Sequence, residues 1–141
     1  MKKNMYIIVG LLAFALCVAT SAFPQENVSR LLKMLEDDSD RFSHSLNTGL
    51  DASPLNGTNA EDDINRYVKD FEDSTDRLKE RYEDRSFATL AAREVLTRAK
   101  TIDQFMRRNR SVVGSTARTD WQTVKNDIGR LAKAYNIKHK W

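Results

Sequence analysis

Apolar residues recur every three or four positions in four successive blocks of this chain, and nowhere do they alternate one by one. That spacing makes the helix the building element, because 3.6 residues per turn stack such positions into one stripe, whereas a strand needs a period of two. The first stripe runs through Val28, Leu32, Leu35, Phe42, Leu46 and Leu50, broadened by Leu31 and Met34 and weakened at Ser39. The second holds Ile64, Tyr67, Val68, Phe71, Thr75, Leu78 and Tyr82. The third holds Phe87, Leu90, Ala91, Val95, Ala99, Ile102, Phe105 and Met106, and the fourth Ala117, Trp121, Val124, Ile128, Leu131 and Tyr135. Long amphipathic helices joined by short connections predict an all-α, antiparallel up-down-up-down four-helix bundle. Its expected core anchors are Phe42, Phe71, Tyr82, Phe105, Trp121 and Tyr135.

Local chemistry divides the blocks. Pro54 and the Asn56-Gly57 pair supply turn residues after Leu50. Thr58 stands three residues before Glu61, the spacing of a capping box that opens the second helix. Between Tyr82 and Phe87 the stripe slips in phase, which predicts a tight turn near Asp84–Ser86 with Ser86 as cap, in preference to one long bent helix. Ser111 to Ser115, with Gly114, make the last connection, and Thr116 or Thr119 is the expected cap of the fourth helix. Asn136 can end that helix in a left-handed conformation, leaving Ile137 to Trp141 as a tail. Asp37/Arg41, Asp62/Arg66 and Asp73/Arg77 are four apart and are expected to pair on the surface.

Before the first stripe, Lys2 and Lys3 precede an apolar run from Met5 to Ala19 and small residues up to the Ala22/Phe23 bond. That order is the grammar of a cleaved export signal over residues 1–22, leaving 23–141 as one helical domain in the periplasm or outside the cell. Membrane contact is then peripheral, the alternative being an uncleaved signal anchor; lipid attachment at Cys17 is disfavoured by Leu16. Cys17 is the one cysteine of the chain and belongs to the signal, so the remaining domain has no disulfide and no thiolate metal or haem linkage.

Charge is unevenly placed. Residues 23–85 carry 9 basic and 16 acidic side chains, and residues 86–141 carry 12 basic and 4 acidic. Helices of opposite sign lying side by side account for most of this asymmetry. Arg107, Arg108, Arg110 and Arg118, however, should gather at one end of an antiparallel bundle, where they are candidates for contact with an anionic envelope component. Export and a near-neutral mature charge argue against nucleic acid.

Residues that carry chemistry are sparse. His44 points away from the seam, and His139 is expected to be a mobile basic residue of the tail. Neither histidine has a glutamate three residues before it, as bundle metal sites require. The cluster Glu36, Asp37, Asp38 and Asp40 lies mid-helix without a glycine turn and is expected to be a solvated face rather than a calcium loop. No phosphate-binding glycine loop, nucleophile elbow or zinc-protease motif occurs. The expectation is therefore a non-enzymatic interaction or structural module with no cofactor, acting on an unknown protein or anionic envelope partner, its oligomeric state open. The alternative is a carrier that opens its core, near Trp121, Tyr82 and Phe105, around a small apolar ligand or metal.

The segments AEDDINRYVKDFEDSTDRLKERY and DWQTVKNDIGRLAKAYNI, with their Asp120-Trp121 and Ala134-Tyr135-Asn136 signatures, resemble an uncharacterised group of exported bacterial helical-bundle proteins. The resemblance implies the same fold and the same export route. It assigns no activity and no functional residue.

Overall fold

The computed structural model describes residues 25–141, so the signal segment 1–22 and its cleavage bond lie outside the described residues. Four helices follow one another: α1 (Gln25–Asp51), α2 (Asn59–Arg81), α3 (Arg85–Arg108) and α4 (Ser115–Ala134), with no strand among the described residues. α1 packs most extensively on α4 and α2 on α3, and sparser α1–α2 and α3–α4 contacts complete a helical bundle.

The helix ends show how the sequence sets the boundaries. Beyond α1, the Asn56 side-chain amide donates to the Asp51 carbonyl at 2.8 Å, and Gly57 takes a positive φ of 73° that a side chain would resist. Thr58 is the extended N-cap of α2, but its hydroxyl donates back to the Leu55 carbonyl at 2.6 Å. Glu61 accepts from the Gly57 N–H at 2.6 Å, so the capping box is displaced by one residue from the expected reciprocal pair. The phase slip after Tyr82 is a true break between two helices. Asp84 rather than Ser86 opens α3: its carboxylate accepts from the Phe87 N–H at 3.4 Å and its carbonyl from the Ala88 N–H at 2.8 Å.

At the other connection, Gly114 and not Thr116 or Thr119 stands at the N-cap of α4, and no side chain caps it. Close approach is the reason: a Cβ on Gly49 of α1 would come within 3.0 Å of the Gly114 nitrogen. Thr119 instead donates to the Ser115 carbonyl at 3.2 Å. The far end of α4 closes as expected, with Asn136 at φ 51°. The Ile137 N–H reaches the Ala132 carbonyl at 2.8 Å and the Asn136 N–H the Lys133 carbonyl at 3.1 Å, the paired bonds of a Schellman motif.

Of the six expected anchors, Phe42, Phe71 and Trp121 are buried, and the rings of Phe42 and Phe71 lie 4.9 and 6.4 Å from that of Trp121. Tyr82, Phe105 and Tyr135 are only partly buried and pack against the edge of the core. For the tyrosines the cause is position: Tyr82 is the C-cap of α2 and Tyr135 that of α4. The stripe of α3 follows expectation at Ala91, Val95, Ala99, Ile102 and Met106, all buried, and differs in its first turns. Ala88, Ala92, Val95, Ala99 and Ile102 are fully buried, whereas Phe87 and Leu90 are 55% and 65% exposed. Alanine contributes little to a hydrophobic pattern, so at the start of the helix the two large residues stood in the expected stripe where Ala88 and Ala92 belong. The Arg81 guanidinium lies 6.0 Å from the Phe87 ring.

Ser39, Ser74 and Thr75 are buried within this seam, each donating to a carbonyl of its own helix at 2.6 to 2.8 Å, which satisfies the hydroxyl. The surface ion pairs are not the three expected from four-residue spacing. Arg41 pairs with Asp38, Arg66 with Asp63, and Asp73 with Lys69, while Arg77 crosses from α2 to Glu94 on α3 at 2.8 Å. Cross-helix pairs Lys79–Glu36 at 2.7 Å and Arg98–Asp70 at 3.3 Å neutralise part of the charge asymmetry. Such exposed pairs contribute about 0–1 kcal/mol each, so apolar burial carries the fold. Truncating Trp121→Ala should therefore cost about 3–5 kcal/mol in urea unfolding, and a near-neutral change would show that the ring is not part of the core.

Candidate functional site

Three charged constellations stand out, and only one of them was foreseen. At the junction of α3 and α4, Arg107, Arg108, Arg110, Ser111 and Arg118 line an open cleft of about 530 Å³. The structure thus brings the four candidate arginines to one place. Arg107 and Arg108 come from the last turn of α3, Arg110 from the connection, and Arg118 from the first turn of α4. Arg118 is held in position because its guanidinium donates to the Arg110 carbonyl at 2.9 Å and the Val113 carbonyl at 2.8 Å. Val113 is buried and Asn109 ties the connection to α3 through the Phe105 carbonyl at 3.0 Å, so the walls of the cleft have fixed supports.

One of the lining arginines, Arg107, reaches a buried carboxylate. Asp103, 2% exposed, accepts the indole N–H of Trp121 at 3.1 Å and pairs with Lys125 and Arg107, each at 3.0 Å. Asp103 is no part of the apolar stripe of α3, yet in the fold it is buried against Trp121. The one sequence cue was its four-residue spacing from Arg107, which gives no hint of an indole partner on another helix.

The tail packs against the same place. Trp141 sets its ring edge-on to Trp121 at 6.2 Å, and the Lys125 ammonium lies 4.7 Å from the Trp141 ring centre. His139, expected to be a mobile basic residue, instead packs perpendicular to Trp141 at 4.5 Å, and its Nε2 is buried with no hydrogen-bond partner among the described residues. Burial, then the nearby Lys100 and Lys125, hold the His139 imidazole below its ordinary value, with Asp103 acting in the opposite sense. His44 is exposed, as expected.

The third constellation lies between α1 and α4. Asp127 is buried beside Asp38, and each carboxyl is flanked by an arginine of its own helix: Arg130–Asp127 and Arg41–Asp38, both at 3.0 Å. Burial first, then the Asp38 carboxyl, hold Asp127 above the usual carboxylate range, and Arg130 opposes them. Asp38 was expected on a solvated face; its side chain is only 12% exposed. Asp37 and Asp40 are exposed, and Glu36 is occupied by Lys79. Among the described residues, no three His, Cys, Asp or Glu side chains converge in a way that could hold a metal ion.

Around Trp121, where a ligand-opening core was the alternative, the space is taken by Phe42, Phe71, Trp141 and Asp103. Neither Trp121, Tyr82 nor Phe105 lines the cleft. No helix among the described residues is long and apolar enough to cross a membrane. No family model, curated protein or solved structure matches the chain.

A base whose folded-state pKa is lowered contributes its full share of stability above its ordinary value of 6.5 and loses it as pH falls below that value. Acidification from pH 8 to 5.5 should therefore loosen the tail, read as a change in tryptophan emission and a lower melting temperature. His139→Gln should flatten that dependence between these two pH values; an unaltered slope would place the titration elsewhere.

Proposed function

We propose that this chain is an exported, non-enzymatic interaction module of the cell envelope, working through its outer surface rather than through its core. The observation that carries this reading is a contrast. The interior around Trp121 is filled by the protein's own side chains, while the outer end of the bundle gathers four arginines around one open cleft. A filled core has no room for an apolar ligand without repacking, and packed interiors resist added volume. An open cationic cleft, by contrast, attracts an anionic partner from solution or from a surface.

The proposal includes export through a signal cleaved after Ala22 and kinship with the exported bacterial helical proteins that the α2 and α4 segments resemble. It also includes an antiparallel, up-down-up-down order. Support for that order comes from cross-helix pairs whose numbers run in opposite senses: Arg77–Glu94 with Asp70–Arg98 between α2 and α3, and Asp38–Asp127 with Gly49–Gly114 between α1 and α4.

Expression of the full chain in a bacterial host should deliver a protein to the periplasmic fraction whose first residue, by mass spectrometry, is Phe23. The same purified protein should leave the emission of an apolar fluorescent probe unchanged. Retention of Met1 in the cytosol would contradict the export step, and stoichiometric uptake of the probe into the folded protein would favour a carrier.

A further inference from the structure

We infer that the arginine cleft is a binding site for a phosphoryl group, a phosphate or phosphate ester presenting two or more anionic oxygens. The inference rests on the reading that the exterior is the working part of the protein, and it names what that exterior recognises.

From Gln104 to Thr119 the chain holds four arginines, no lysine and no acidic residue. Solubility alone would be served equally by lysine. Arginine differs in offering a rigid fork of donors that matches the oxygens of a phosphoryl group two at a time. The charge of these forks is barely neutralised. Arg107 shares its one carboxylate, Asp103, with Lys125, so one anion serves two cations. Arg118 donates to two neutral carbonyls, which fix its position and leave its charge intact. Arg108 and Arg110 are exposed and have no ion-pair partner among the described residues. In the first turns of α2, Glu61 accepts from the Gly57 N–H and Asp63 pairs with Arg66.

A second feature of the cleft acts in the same sense. Arg118 sits in the first turn of α4, whose N-cap Gly114 carries no capping side chain, so the positive end of the helix dipole adds to the cationic field beside the cleft. Ser111 adds a hydroxyl to the lining. A carboxylate would bring one charge and two oxygens to this site; a phosphoryl group brings up to two charges and more oxygens, and so engages more of the forks at once. A soluble phosphate ester and a phospholipid headgroup share this chemistry.

The test is a titration of the purified protein with inorganic phosphate by calorimetry at low salt, alongside co-sedimentation with phosphatidylglycerol or phosphatidylcholine vesicles. Phosphate binding should saturate, weaken as sodium chloride is raised, and fall by at least about tenfold in R108E/R110E. Circular dichroism melting of that variant should stay at the wild-type value, because both side chains are exposed. R108K/R110K should bind with intermediate affinity, keeping charge and losing the fork, and K33E/K133E, at two exposed lysines outside the cleft, should bind like wild type. Vesicle binding that requires phosphatidylglycerol and is lost in R108E/R110E identifies a lipid headgroup as the source. Phosphate binding without preference for those vesicles identifies a soluble ester. Absence of binding in both arms, equal binding by wild type and R108E/R110E, or an equal loss in K33E/K133E overturns the inference. None of those results touches the filled core, which fails separately if an apolar probe enters it.

Discussion

The bond between the Asp103 carboxylate and the Trp121 indole N–H is the interaction on which the rest of the structure depends. It joins α3 to α4, which otherwise share the sparsest contacts in the bundle. The same indole ring touches Phe42 of α1, Phe71 of α2 and Trp141 of the tail, so all four helices and the C-terminal segment meet at one side chain. A carboxylate buried to this degree persists only with compensating partners, and Asp103 has three: an indole donor, a largely buried ammonium and an exposed guanidinium. Taking away any buried partner leaves an uncompensated polar group. In a domain without a disulfide, that penalty is a means of selecting one arrangement of helices that would otherwise slide along interchangeable apolar seams.

The second buried polar contact, Asp38 with Asp127, works in a comparable way between α1 and α4 but with the opposite electrostatics. Two carboxyls in contact disfavour double ionisation, and the flanking Arg41 and Arg130 offset only part of that repulsion. The two sites respond to pH in different ranges and opposite senses. Burial favours neutral His139 and hence the docked tail toward alkaline pH, whereas it favours the protonated Asp127 and hence the α1–α4 contact toward acid. Arg107 connects the Asp103 junction to the outside, because its guanidinium both pairs with the buried carboxylate and lines the cleft. The cationic end is therefore an extension of the core's electrostatics rather than a separate decoration.

Helix content and helix boundaries were largely legible in the sequence, since large apolar residues at helical spacing, the Asn56-Gly57 turn and Asn136 each act within a few neighbours along the chain. The gathering of Arg107, Arg108, Arg110 and Arg118 was legible for the same reason: they flank one short connection. What escaped was whatever depends on partners distant in sequence. Asp103 and Asp127 look like surface acids until a second helix supplies Trp121 or Asp38. The tail looks mobile until Trp121 and Lys125 offer a surface for Trp141 and His139. At the start of α3, Ala88 and Ala92 escaped because alanines are quieter in an apolar pattern than the exposed Phe87 and Leu90 beside them. Gly49 gave no local signal at all, its role being to let another part of the chain approach within van der Waals contact.

Because Trp121 is one of only two tryptophans, its indole N–H gives a resolved proton resonance that reports directly on the central junction. Hydrogen exchange of that proton should be as slow as that of the most protected backbone amides, opening only with global unfolding, while the more exposed Trp141 indole exchanges faster. An Nε1–H at Trp121 that exchanges at the rate of a free indole in the folded protein would contradict the junction, and with it the account of how this fold is held and how its cationic end is supported.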